Sequence, residues 1–500
     1  MTARFTADDG ADALVIDGPA PGDPAASGVP VRAELIGARA RVAGEVTVEA
    51  GAWRVRLPLR AARFGAPALP LPTGTYRLRL ADAAGTAVPV AHSLPDHLLT
   101  GLRASLTDGV VSVAPPVAAD TLAAPGQAAL EAAYVSQRTV PATENAVFFE
   151  SFYGRTVGCN PLAIDRELAR VAPGVVRYWS VVDLSVPVPS GAVPVVEGSP
   201  EWWQARAAAR LLVVNDWLRR RFVRRPGQRV LQTWHGTPLK RLALHRPGFD
   251  PRRAVAVARE SRRWDVLLAQ SPYAAGVLRR AYAFLGRPIW VEGYPRNDVL
   301  TAVGAGGADG DRGAAVRAAL GIRPDERVLL YAPTWRDDRE QMVDFLDLDR
   351  LAERAGAVVL VRGHSRTLAP GADAEGPRVL DVTAFPDIAG LLRAADALIT
   401  DYSSVMFDFT VTGKPVYFFV PDLDHYRGRL RGFYFDLAAR APGPVVDTQD
   451  ALEAALADPD VPARFSARYA QWRARFNARD DGRAAERVVA RLLDQGFVSR

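Results

Sequence analysis

Two histidines stand where a parallel sheet would deliver them to a substrate. In VLQTWHGTPLK an apolar run ends in His235, Gly236, Thr237 and Pro238, before a helix start that carries Lys240. With an ordinary pKa near ~6.5, an imidazole there takes a proton from a hydroxyl at neutral pH and fits a general base. Gly236 lets the backbone approach a ligand, and a helix start attracts anions. In VVLVRGHS a second apolar run delivers Arg362, Gly363, His364 and Ser365. If two such strand ends face each other, one imidazole serves the nucleophile while the other, with Arg362, meets a developing phosphate charge. Taken alone, His235 reads equally well as a ring that buttresses a turn, and the competing reading of His364 is a solvated strand end.

A third stretch, ALITDYSSVMFDF, runs from a strand into a helix through Asp401, Tyr402, Ser403 and Ser404. Serine hydroxyls and free N–H groups at such a start hold a diphosphate, although serines there are also ordinary caps. GYPRND (293–298) and APTWRDD (332–338) add Tyr294, Arg296, Asn297, Trp335 and Arg336 near the same edge. Arginines so placed clamp phosphate bidentately. Of 62 basic residues only Lys240 and Lys414 are lysines. A compact ammonium is not interchangeable with a planar guanidinium fork, so lysines kept in so arginine-rich a chain point to sites that need them. The chain has no G-x-x-x-x-G-K-[ST] phosphate loop, no G-x-S-x-G elbow and no cysteine pair for zinc. The DLD triplets at 347–349 and 422–424 have only apolar companions, so no protein-held metal is expected. His92 and His97 read as surface or packing residues.

The elements that must position these residues fall into three groups. Residues 1–115 alternate in short runs such as VRAELIG, GEVTVEA and TYRLRLAD between Gly, Pro and Asp clusters, which predicts a small all-β, sandwich-like accessory domain. The Ala/Pro-rich stretch 116–143 reads as a linker. Over 144–303, apolar β-like runs alternate with helical spacing, and after GAGGADGDRG the pattern repeats over 314–500. That is an α/β pattern of two doubly wound, Rossmann-like halves, each with a parallel sheet and its ligand edge at the carboxyl ends of the strands. The last fifty residues are helical by spacing and are counted with the second half.

Composition sets the outer limits. A chain of 500 residues with 49% apolar and 24% charged residues is globular rather than disordered. Its net charge of +6 and pI near 9.6 favour acidic partners without choosing among them. One cysteine, Cys159, excludes an intrachain disulfide framework. No run reaches the length needed to cross a bilayer. The arginines at 252, 253, 259, 262 and 263 lie around a helix beside the His235 motif and suit an anionic membrane surface or a polyphosphate chain.

Taken together, QTWHGTPLK, GYPRND, YAPTWRDD, RGHS, LITDYSSVMFDF and KPVYFFVPDLDHYRGRLRGFYFDL resemble, in order and spacing, the CDP-glycerol glycerophosphotransferase family of teichoic-acid polymerases and primases. The resemblance covers residues 145 to about 440 and leaves the β-rich start unmatched. It implies a two-domain GT-B architecture and transfer of glycerol phosphate, or another polyol phosphate, from CDP-glycerol or CDP-ribitol. The expected acceptor is a hydroxyl of a lipid-linked or growing teichoic-acid-like or capsular polymer, and CMP is released. It implies that His235 is the base, that His364 engages the donor phosphate and assists the leaving CMP, and that Ser403 and Ser404 bind the diphosphate with Arg336. The wider expected donor set is Arg362, Asp401, Lys414, Tyr294, Arg296 and Asn297, and the acceptor set is Lys240, Gly236 and Thr237. No cofactor is expected, and any divalent cation would come without a protein-held site. The expected place is the cytoplasm, against the inner membrane surface, with no nucleic-acid partner. A GT-B glycosyltransferase using a nucleotide sugar and a non-catalytic protein that binds anionic polymer are the other readings.

Overall fold

The computed structural model describes residues 1–8, 11–19, 28–49, 51–63, 65, 67–301, 311–334, 345–363, 378–426 and 432–500. Among the described residues, the N-terminal region forms a two-stranded antiparallel sheet pairing Arg60–Ala61 with Leu69–Pro70, and two larger ones. One has four strands in the spatial order Thr2–Asp8, Ala11–Pro19, Ala52–Pro58, Glu45–Glu49. The other has six, in the order Leu94–Leu98, Arg103–Thr107, Val110–Ala114, Gly74–Ala81, Arg32–Gly37, Arg41–Ala43. Alternate residues such as Trp53, Val55 and Leu57 turn inward to one shared core with Leu35, Leu80 and Leu106, while the arginines between them stay out. This domain docks on the next through the buried carboxylate of Asp183, which accepts the Thr73 N–H at 2.8 Å.

Residues 144–291 build a seven-stranded parallel sheet in the order Val193–Val196, Val176–Val181, Glu144–Glu150, Ala209–Val214, Arg229–Gln232, Val266–Ala269, Ile289–Val291. The strands are apolar on both faces, as sheets covered by helices on both sides require. Phe148 and Leu212 face one core while Val147, Phe149 and Leu211 face the other. Three covering helices start alike. Ser199, Asp250 and Ser271 each accept a backbone N–H of the first turn, and a proline with its preset φ follows at once.

The second parallel sheet repeats this winding with six strands: Val379–Asp381, Ala357–Val361, Arg327–Ala332, Ala397–Thr400, Val416–Phe419, Val445–Val446. In both sheets the first strand lies inside, and the chain reverses direction between it and the fourth. A crevice at the carboxyl ends of those two strands is where such sheets hold ligands.

Two expected boundaries are corrected. The stretch taken as a linker contains the helix Ala124–Ser136, whose Tyr134 is buried 5.0 Å from the Trp203 ring and donates to the Val223 carbonyl at 3.0 Å. Alanine is the strongest helix former and proline is tolerated in a first turn, so an Ala/Pro composition does not exclude a helix. The C-terminal end also changes sides. The helix Ala484–Asp494 sends Val488, Val489 and Leu492 into the core of the first parallel sheet, beside Val147 and Trp290. An apolar stripe shows that a helix docks, but not on which sheet.

Candidate active site

The strand Arg229–Gln232 ends in a turn held by its own polar groups. Gln232 Oε1 accepts the Trp234 N–H at 2.9 Å, and Thr233 N–H donates to the Val214 carbonyl at 2.7 Å. Trp234 takes φ +53°, a strained value for an aromatic residue, and its ring stacks on His235 at 4.5 Å. His235 is partly buried, with Nδ1 2.6 Å from the Asn215 carbonyl. A carbonyl only accepts, so Nδ1 carries the proton and Nε2 of the neutral ring keeps its lone pair. Burial lowers the His235 pKa, opposed by the charge of Asp216 and the bond to Asn215, so the neutral base prevails at neutral pH.

The groups behind the ring come from the switch point of the first sheet. Asn215 follows the fourth strand; its Oδ1 accepts Phe152 N–H at 2.9 Å and its Nδ2 donates to Ser151 Oγ at 3.2 Å. Phe152 and Tyr153 adopt φ +47° and +59°, and Tyr153 Oη donates to Asp216 at 2.7 Å. The first-strand loop is thereby wedged against the fourth-strand end under the histidine.

The two halves meet at Gly236. A Cβ there would lie 2.7 Å from Ser404 Oγ and 3.1 Å from its Cβ, so any larger residue would have to push the Ser404 side chain aside. Ser403 and Ser404 follow the fourth strand of the second sheet, so the serine segment and the histidine turn face each other across the crevice. Thr237 is buried and donates its hydroxyl to Gln270. Lys240 pairs as an isolated bridge with Phe433, and its ammonium lies 5.8 Å from the Tyr426 ring centroid. Tyr426 in turn stacks on Tyr402 at 4.4 Å, which sets Lys240 beside the serine segment.

Several expected ligands are engaged by the protein itself. The Arg296 guanidinium holds Asp408 through Nη2 at 2.9 and 2.8 Å and Nε at 3.2 Å, while Nη1 donates to the His235 carbonyl at 2.9 Å and Cys159 Sγ at 3.0 Å. Every guanidinium nitrogen is thus occupied, and Arg296 joins the halves instead of standing open to phosphate. Asp401 accepts the Thr334 N–H at 2.9 and 3.0 Å and that of Tyr402. Its carboxylate ties the first-strand loop of the second sheet to the fourth strand. Arg362 donates to the carbonyls of Val382 at 3.0 Å and Phe385 at 2.9 Å, and burial lowers its pKa to about 10. Lys414 donates to the carbonyls of Arg393 at 2.7 Å and Ala395 at 2.6 Å, capping the helix Ile388–Ala394. Tyr294 and Asn297 are buried. Arg336 and His364 lie outside the described residues. No cluster of three or more His, Cys, Asp or Glu side chains that could hold a metal occurs among the described residues, and Asp347 of the first DLD triplet caps the helix Leu348–Ala355.

Asn215 and Asp216 escaped the sequence reading as site residues, while Asp408 reads from sequence as a helix-face charge unless the site gathers it. The pair Asn215 and Asp216 closes the apolar run LLVVND, which is the same strand-end signal that marked His235. Asp408 on a helix face has no such mark until Arg296 reaches it.

With this geometry in place, a family model described as CDP-Glycerol:Poly(glycerophosphate) glycerophosphotransferase matches residues 132–494. The chain belongs to that family. Among glycerophosphotransferase relatives, it is 37% identical over 374 residues to the teichoic acid poly(glycerol phosphate) polymerase of Bacillus subtilis (strain 168), covering 70% of this chain and 49% of that one. It is 34% identical over 383 residues to the teichoic acid glycerol-phosphate transferase of Staphylococcus aureus (strain NCTC 8325 / PS 47), covering 70% and 93%. The chain thus spans about half the length of the first relative and nearly all of the second. A solved structure of the wall teichoic acid polymerase TagF, a variant soaked with CDPG, superposes with TM-score 0.68 at 30% identity over 76% of this chain and 95% of that one. The family match begins at residue 132, so the antiparallel sheets lie outside it, while His235, Gly236, Ser403 and Ser404 lie inside.

Proposed function

We propose that this glycerophosphotransferase-family chain moves glycerol phosphate from CDP-glycerol to a hydroxyl of a growing teichoic-acid-like polymer. His235 Nε2 takes the hydroxyl proton. The acceptor oxygen forms its bond to the glycerol-bearing phosphorus as the bond from that phosphorus to CMP breaks, and CMP leaves. Such a displacement needs positioning and charge stabilisation more than covalent chemistry. The observation that carries the reading is the Gly236 contact with Ser404: it sets a neutral, oriented imidazole across from two serine hydroxyls suited to a diphosphate. In a GT-B reading of the two sheets, the first half takes the acceptor and the second the CDP donor. His364 and Arg336 keep the donor-phosphate roles that the family resemblance gives them.

An anionic acceptor is supported by a groove of about 860 Å³ on the first half, lined by Arg221, Arg224, Arg259, Arg262 and Arg263 around Phe222. A concave basic channel suits a phosphodiester chain. The Phe249 side chain, 91% exposed beside Arg252 and Arg253, suits the membrane surface that would carry a lipid-linked acceptor. Among the described residues no helix is long and apolar enough to cross a membrane.

CMP release from CDP-glycerol, CDP-ribitol and UDP-sugars, with a lipid-linked acceptor present, tests the proposal. CDP-glycerol should be turned over by the wild type, and about 10²–10⁴-fold less efficiently by His235→Ala or His364→Ala. Turnover of a UDP-sugar in its place would establish the nucleotide-sugar reading. Salt-dependent polymer binding with no turnover would make the chain a binding protein.

A further inference from the structure

The proposed reaction uses the His235 turn and the serines after Thr400, and leaves a buried polar chain behind them without a role. It starts two residues past His235, where Thr237 donates its hydroxyl to Gln270 Oε1. Gln270 Nε2 donates to Asp480 Oδ2 at 2.6 Å, Asn477 Nδ2 donates to the same oxygen at 3.0 Å, and Asp480 Oδ1 accepts the Tyr294 N–H at 2.9 Å. Asn477 then reaches the second half: Nδ2 donates to the Phe407 carbonyl at 2.7 Å and Oδ1 accepts the Thr410 hydroxyl at 3.0 Å. Thr237, Gln270, Asn477, Asp480 and Thr410 are all buried. Phe407 and Thr410 sit on the helical stretch that starts directly after Ser404.

The chemistry at the centre of this chain admits one side-chain type. Three donors converge on Asp480, and a carboxylate is a group that only accepts. An asparagine would turn an N–H₂ against at least one of them. Because Gln270 must aim its amide nitrogen at Asp480, it must aim its oxygen at Thr237, which fixes the hydroxyl rotor and with it the turn. The Arg296 link grips the same turn from the other side, through the His235 carbonyl. The two ties flank Gly236, the residue in contact with Ser404.

We propose that Asp480 is a positioning residue for the transfer: through Gln270 it holds Thr237, and through Asn477 it holds the helix behind Ser404. One buried carboxylate thereby sets the gap between base and phosphate-binding serines. The inference rests on the reaction proposed above. A misplacement of about 1 Å at a reacting centre costs up to about a hundredfold in rate, so the loss falls on turnover.

The test uses the full chain. Wild-type CMP release from CDP-glycerol first checks the underlying reaction, and its absence would count against that reaction. Given an active wild type, Thr237→Val and Asp480→Asn should lower kcat ten- to a hundredfold, with KM for CDP-glycerol held within twofold. Thr237→Ser, which keeps the hydroxyl, should recover most of the kcat that Thr237→Val loses. Backbone hydrogen exchange over residues 233–240, measured without substrate, should quicken in Thr237→Val and not in Thr237→Ser. A Thr237→Val enzyme with wild-type kcat and exchange overturns the inference, as does a Thr237→Ser enzyme as damaged as the valine variant. Should Asp480→Asn fail to fold, the threonine pair decides alone.

Discussion

His235 takes its orientation from a carbonyl and its neutral state from burial. Because Asn215 fixes the proton on Nδ1, the proposed chemistry depends on Nε2, and His235→Ala should lower kcat/KM for CMP release by about 10²–10⁴-fold with an unchanged circular dichroism spectrum. The pH profile carries a sign. A depressed pKa favours the neutral, active form, so activity should fall only as pH drops below the ordinary imidazole range near ~6.5. Asp216 opposes that depression, and Asp216→Asn should shift the acidic limb of kcat/KM to still lower pH. An unmoved limb would mean that His235 is not the titrating base. At this scale the sequence shows which residues stand at strand ends, and Gly236, next to His235, lies against Ser404. It does not show where donors and acceptors are consumed. Lys414 is one of two lysines inside a family motif, yet it caps a helix, and Arg296 and Asp401 are taken up by Asp408 and Thr334. Residue type and spacing are the same for a ligand and for a clasp, and only the three-dimensional partner separates them.

Elements are joined here by buried charge. The Arg296 and Asp408 side chains are 14% and 11% exposed and link the loop after Ile289–Val291 to the helix Val405–Phe409. Removing one member of such a pair strands the other, so Arg296→Ala should cost about 3–5 kcal/mol and lower the thermal midpoint. A second element-scale effect concerns Asp298, which accepts the Ala484 and Ala485 N–H groups at 2.9 and 2.7 Å and begins the last helix. Burial pushes its pKa up to about 7. A carboxyl raised in this way contributes stability below its unfolded value near ~3.9, and that contribution is lost as pH rises through about 7. Asp298→Asn, which keeps one of the two acceptor oxygens and cannot ionise, should lower the midpoint at acidic pH and flatten its fall between pH 5 and pH 8. The strands themselves were readable, because a parallel sheet covered on both faces demands unbroken apolar runs such as LLVV and AVVLV. The helix Ala124–Ser136 was not, since its composition matches that of a flexible connector.

For the molecule as a whole, charge and chain path matter most. A combined Arg221→Ser, Arg259→Ser and Arg262→Ser variant of the arginine groove should raise KM for the polymer acceptor and weaken its dependence on ionic strength. KM for CDP-glycerol should stay unchanged. The repeated winding of two parallel sheets could be read from the recurrence of the pattern, but the return of the last helix to the first sheet could not, because helical periodicity carries no address. That return has a consequence for biogenesis. Asn145 and Ser499 exchange two hydrogen bonds of 2.8 Å across a separation of 354 residues. At translation speeds of roughly 5–20 residues per second, the sheet begun at residue 144 waits roughly 20–70 seconds for the helix that covers it. Until that helix arrives, the apolar surface around Val147, joined later by Trp290, lacks its cover on the nascent chain, a ready target for chaperones.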